Sequence, residues 1–130
     1  MKFMFSFTGI RVQDLDRSIR FYTEVLGMKF LGRSEIPFTK GETAGLQSES
    51  TGHVLTLNWY SDRSPVAGPF KKGDELDYLT FEVRNLDKAL KYLKKKGHEP
   101  VSDVAEEPDA NWAYIEDPDG NWIQLFELPR

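Results

Sequence analysis

Apolar and polar residues alternate up to Val12, and the spacing then changes. After Gln13, Asp14, Leu15 and Asp16, apolar residues recur at Ile19, Tyr22 and Leu26, and the run closes at Gly27. A period of two followed by a helical period predicts a strand leading into an amphipathic helix. An Asp side chain accepts the free amides of the first turn, and glycine takes the left-handed backbone at the helix end. The same order returns 71 positions later, where Val12, Leu15 and Asp16 recur as Val83, Leu86 and Asp87. Ala89, Leu90 and Leu93 form the second helix face, and Gly97 is the stop. The capping Asp, the apolar face and the final glycine recur in one order, which predicts an internal repeat.

Short strand-like runs follow each helix: Lys29 to Arg33, Ala44 to Glu49 and His53 to Tyr60, then Pro100 to Val104, Trp112 to Glu116 and Asn121 to Glu127. Asp117-Pro-Asp-Gly120 is a turn, since proline presets φ and glycine tolerates positive φ. The expectation is an α+β fold in one domain, residues 1–130, made of two tandem βαβββ modules whose curved mixed sheets surround a cavity. The modules span about 1–62 and 75–130. A connector at 63–74 carries Pro65, Gly68, Pro69 and Gly73.

Strand side chains alternate between faces, so parity sorts them. Ile10, Val12, Leu55, Leu57 and Trp59 go under the first helix, with Thr8. Leu79, Phe81, Val83, Ile123 and Leu125 go under the second. The opposite faces hold Phe7, Gly9, Arg11, Val54, Thr56, Asn58 and Tyr60 in the first half, and Tyr78, Thr80, Glu82, Trp122, Gln124 and Phe126 in the second. Rings with a few convergent polar groups are what a small-molecule pocket needs. The same rings could instead pack as a second core or a subunit interface, with Arg11 paired to Glu82.

Composition narrows the partners. With 17 basic and 21 acidic residues the net charge is −4 and interspersed, which gives no reason to expect nucleic acid or an anionic membrane as partner. Lys94, Lys95 and Lys96 suit the negative end of a helix dipole. No cysteine is present, so disulfides, thiolate metal sites and cysteine nucleophiles drop out. No apolar run approaches the roughly 20 residues of a membrane helix, and Met1 to Ile10 is too short for a signal-peptide core, so a soluble cytoplasmic protein is expected.

The segment Asp14-Leu-Asp-Arg-Ser-Ile-Arg-Phe-Tyr-Thr-Glu-Val-Leu-Gly-Met28 resembles the first helix of glyoxalase I and its relatives, and Glu116-Asp-Pro-Asp-Gly-Asn121 resembles their final turn. Leu55-Thr-Leu-Asn-Trp59 is similar to the fourth strand of glyoxalase I. The resemblance is to the glyoxalase/bleomycin-resistance/extradiol dioxygenase (vicinal-oxygen-chelate) superfamily. It implies that Arg11 and Asn58 help hold the glutathione part of a substrate, and that the protein is a homodimer; an arginine there can also pair with a carboxylate bidentately. It also implies four metal-ligand positions, which fall on Phe7, Val54, Tyr78 and Gln124. The repeat gives the same registration, with Phe7 and Tyr78 71 apart and Val54 and Gln124 70 apart.

Phenylalanine and valine offer no lone pair, and a neutral phenol or amide is a poor substitute for imidazole and carboxylate. His53 points away from the cavity by parity, His98 follows the helix-ending Gly97, and the nearest upstream carboxylate, Glu49, falls outside the cavity. No metal and no other cofactor are therefore expected. Glu82 is the one acid placed in the cavity, where desolvation would make it a general base, and Tyr78 is the other weak catalytic candidate.

Three readings remain open: a metal-free binder of a small organic, carboxylate-bearing or aromatic ligand; an enzyme of the superfamily, of the lactoylglutathione lyase type; or a dimeric interaction module.

Overall fold

An acceptor side chain just before an amphipathic run satisfies the first free amides of a helix, and both halves of the chain use this device. In the computed structural model, which describes residues 1–2, 4–71 and 78–129, Asp14 accepts from the Arg17 amide and Asn85 from the Lys88 amide, each at 3.0 Å. The repeated acids Asp16 and Asp87 are not the caps. They lie inside the first turn, where negative charge complements the helix dipole.

The chain divides into two compact units, Met1–Lys71 and Lys72–Arg130. The first contains β1 (Thr8–Arg11), α1 (Leu15–Arg20), β2 (Lys29–Ile36), β3 (Gly41–Gln47) and β4 (Val54–Tyr60). Its sheet has the order β1-β4-β3-β2, with β1 parallel to β4 and the other pairs antiparallel. The second contains β5 (Leu79–Glu82), α2 (Leu86–Lys95), β6 (Ala105–Glu106), β7 (Asn111–Glu116) and β8 (Trp122–Glu127). Its order, β5-β8-β7-β6, repeats the first. The fold is thus α+β with two four-stranded mixed sheets. Gly73, Asp74 and the first residues expected of the second module, 75–77, lie outside the described residues.

α1 packs on β3 and β4, and α2 on β8. In the first unit Ile10, Val12, Ala44, Leu46, Leu55 and Leu57 are buried under the helix with Leu15, Phe21 and Tyr22; in the second, Ala113, Ile115, Ile123 and Leu125 are buried with Leu86 and Leu93. Ile10, Val12, Leu55, Leu57, Ile123 and Leu125 are positions that alternation assigns to the helix side; Trp59, Leu79, Phe81 and Val83, assigned there too, are only half-buried. Arg33 ties α1 to the sheet by bonding Asp16 and, at 3.2 Å, Glu42. Its pKa is raised, chiefly by the hydrogen bond with Glu42 and then by that with Asp16. The cluster is exposed and adds little stability.

Two local expectations change. The first helix does not run evenly to Gly27: Phe21–Val25 is a π-helical turn, closed by Leu26 N–H donating to Phe21 O at 3.1 Å. The Thr23 hydroxyl bonds the Ile19 carbonyl at 2.7 Å, a back-bond that bends helices. Pro100–Val104 is not a strand. Pro100 lacks an amide donor, and the segment meets β7 through Val101 N–H to Tyr114 O at 2.8 Å and Tyr114 N–H to Ser102 Oγ at 3.0 Å, while regular pairing with β7 begins at Ala105–Glu106.

The Asp117–Gly120 turn forms as its sequence demands. Asp117 accepts from the amides of Asp119 and Asn121 and from the Asn121 side chain at 2.7 to 2.9 Å, and Gly120 has φ +82.

Leu57 is wholly buried at the centre of the first sheet. Leu57→Ala is expected to cost about 2 to 5 kcal/mol in urea unfolding. Asp117→Ala, which orphans buried donors, is expected to cost about 1 to 3 kcal/mol.

Candidate functional site

In each unit the sheet face away from the helix carries the candidate residues. On the first unit these are Phe7, Arg11, Val54, Thr56 and Asn58. Phe7 is 55% exposed, while the other four are half-buried. Asn58 is held on both sides: its carbonyl oxygen accepts from Thr43 Oγ at 2.8 Å and its amide donates to Thr56 Oγ at 3.3 Å. Gly9 makes that approach possible, since a Cβ there would lie 2.9 Å from Thr56 Oγ and 3.0 Å from Asn58 Nδ2.

Arg11, at the end of β1, has the most developed surroundings. One terminal nitrogen donates to the Gly68 carbonyl at 2.7 Å, and the Cζ lies 5.5 Å from the ring centroids of both Tyr60 and Phe70. Both rings are within the range of a cation–π contact. Arg11, Trp59, Tyr60 and the segment Ala67–Phe70 border a recess of about 540 Å³. That volume is in the range of small-molecule sites. The stretch expected to be a bare connector therefore supplies a wall.

On the second unit, Tyr78, Thr80, Glu82, Trp122, Gln124 and Phe126 share the corresponding face. Thr80 Oγ donates to Gln124 Oε1 at 2.9 Å. Tyr114 stands between Tyr78 and Trp122, with ring centroids 5.7 and 4.9 Å away. Glu82 is exposed, so burial supplies none of the desolvation expected of a general base there. His53 is exposed; it bonds Thr8 Oγ at 3.2 Å and stacks on Phe5. Glu49 is exposed in the turn between β3 and β4.

Strand register corrects one assignment. Gly9 pairs with Thr56 in the first unit, as Thr80 pairs with Gln124 in the second; likewise Val12 N–H donates to Asn58 O and Val83 N–H to Phe126 O, each at 2.9 Å. The internal equivalent of Gln124 is therefore Thr56, and Val54 corresponds to Trp122. The four positions become Phe7, Thr56, Tyr78 and Gln124, which offer no imidazole and no carboxylate.

Tyr114, Thr43, Gly68 and Phe70 were not among the expected site residues. The first two follow from parity, since Tyr114 opposes Gln124 and Thr43 opposes Asn58. The only sequence signal for Phe70 is an aromatic in a Pro- and Gly-rich stretch.

The family model of the Glyoxalase/Bleomycin resistance protein/Dioxygenase superfamily matches residues 5–125. The chain is 34% identical over 126 residues to the lactoylglutathione lyase of Escherichia coli O157:H7, covering 92% of this chain and 89% of that one. It is 29% identical over 126 residues to a probable lactoylglutathione lyase of Synechocystis, covering 92% of each. Among solved structures it is similar to the trypanothione-dependent glyoxalase I of Leishmania major, with a TM-score of 0.75 and 28% identity over 95% of this chain and 86% of that one.

Gly9→Ala is expected to displace Thr56 and Asn58 and to cost about 1 to 3 kcal/mol. Chemical unfolding measures the cost, and the Asn58 side-chain amide resonance reports the shift. An unmoved resonance with unchanged stability would mean that this face is not tightly packed.

Proposed function

This chain belongs to the glyoxalase/bleomycin resistance protein/dioxygenase superfamily, and we propose that within it the protein binds a small carboxylate-bearing aromatic molecule without a metal ion. The observation that carries this reading is the recess of about 540 Å³ bordered by Arg11, Tyr60 and Phe70. A guanidinium is a planar fork that matches a carboxylate bidentately, and the neighbouring rings give an aryl group apolar surface.

The superfamily includes members built around a divalent ion, and the donor set here does not fit one. Phe7 has no lone pair. Thr56 and Gln124 are neutral, each already in a hydrogen bond on its own sheet, and Tyr78 is a phenol. Arg11 supplies charge recognition in the ion's place.

A second reading is supported by the identity to proteins named lactoylglutathione lyase. It is tested by assaying lactoylglutathione formation with and without added nickel or zinc. The binding reading expects no turnover above background, and metal-dependent turnover would replace it with the lyase.

The homodimer belongs to the same proposal. Exposed Phe5, Phe7, Phe30 and Leu31 on the first unit offer apolar surface for it. Analytical ultracentrifugation is expected to give twice the chain mass.

Calorimetric titration of benzoate into protein dialysed against a chelator tests the central point. Binding is expected in wild type and to weaken at least about tenfold in Arg11→Ala, the worth of a charged hydrogen bond. Equal binding by both proteins would contradict it.

A further inference from the structure

We infer that Phe70 is a positioning residue for Arg11, and that the segment Ala67–Phe70 is a strap that fixes the guanidinium while leaving part of it free for a carboxylate. The inference rests on the carboxylate reading of the recess and adds to it the residue that makes Arg11 a preformed receptor.

An arginine side chain carries several rotatable bonds, and each one that is ordered on binding subtracts from affinity. Here the ordering is done before any ligand arrives. The Gly68 carbonyl takes one of the five N–H groups of a guanidinium. The remaining donors find no acceptor among the described residues.

Phe70 and Tyr60 lie equally close, with each centroid 5.5 Å from Cζ. Tyr60 is fixed by β4, where it pairs with Gly41. Phe70 is held by no sheet, so its contact with Arg11 depends on how the strap is laid down. Pro65 before the strap and Pro69 within it restrict its freedom, which lowers the entropy lost in laying it against β1. Phe70 is half-buried at the strap's end, where it caps the recess.

The chemistry left open is directional. A carbonyl on one nitrogen and rings beside the guanidinium leave a limited arc of N–H groups facing the recess. A flat carboxylate can approach along that arc, with an attached aryl ring meeting Tyr60 and Phe70. Lysine could not serve in the same way, because an ammonium presents a point charge and no fork.

The test compares wild type with Phe70→Ala, Phe70→Tyr and Arg11→Lys. The first readout needs no ligand: the NMR signal of the Arg11 Nη2–H that donates to the Gly68 carbonyl, assigned by its loss in Arg11→Lys. It is expected to be sharp and slowly exchanging in wild type and in Phe70→Tyr, and to exchange several-fold faster in Phe70→Ala. The second readout is benzoate affinity, expected to fall about five- to tenfold in Phe70→Ala and to recover in Phe70→Tyr.

An Arg11 signal unchanged by Phe70→Ala overturns the inference. So does benzoate binding that depends on Arg11 but not on Phe70, and in that case the carboxylate reading survives. If benzoate fails to bind wild type while the signal responds to Phe70 as expected, the carboxylate reading fails and the positioning role stands.

Discussion

Val12 N–H donates to Asn58 O, and Val83 N–H to Phe126 O, each at 2.9 Å. These bonds end the parallel pairing of the first strand of each unit with its last, and the rest of each unit is arranged around that pairing. A parallel pair needs a crossover between its strands. In both units the crossover is a capped helix followed by a strand pair, which lays the helix across one face and leaves the other open. Gly9 leaves room beside that pairing for the Thr56 and Asn58 side chains, whose Oγ and Nδ2 would lie 2.9 and 3.0 Å from a Cβ, whereas the second unit places Thr80 at the same register. Arg11 lies at the end of β1, next to Tyr60 and within reach of the chain that follows β4.

Much of this was legible in the sequence, because alternation and helix capping are local. Val12 and Val83 mark the ends of the first strands, Gly27 and Gly97 adopt positive φ after the helices, and Ile10, Val12, Leu55, Leu57, Ile123 and Leu125 are buried as parity requires, whereas Trp59, Leu79, Phe81 and Val83 are only half-buried and Gln124, on the open face, is buried. The register of the last strands was not legible to the same precision. A slip of one residue would turn every side chain to the wrong face, but a slip of two preserves the face. Val54 and Thr56 are thus equivalent by parity, and only the pairing Gly9 with Thr56 separates them. Pro100–Val104 failed for another reason: its apolar residues suit a strand, but proline removes a donor where pairing would begin. The contact of Phe70 with Arg11 was out of reach altogether, since it depends on how an irregular segment returns to β1.

The two units keep the architecture of their superfamily, and the proposed function turns on the chemistry of their open faces. At the positions to which the resemblance assigns metal ligands, the proposed reading finds a phenyl ring, a hydroxyl, a phenol and an amide, and the two neutral polar groups Thr56 and Gln124 satisfy neighbours on their own sheets. Such groups are weak ligands for a divalent ion. In the proposed reading, the group that meets a ligand's carboxylate on the first unit is the guanidinium of Arg11, held by a backbone carbonyl and two rings in a recess that Asp62 also lines. A fixed cation beside aromatic surface can recognise an anion directly, which is the form of recognition proposed here.

The central claim, that this open face has exchanged metal chemistry for charge recognition, is tested most directly by the metal content of purified protein after dialysis, followed by calorimetric titration with nickel and zinc. The account predicts no stoichiometric ion and no tight binding isotherm. An ion retained in proportion to the chain, lost on chelation and restored with high affinity, would contradict it and return the protein to the metal-dependent branch of its superfamily.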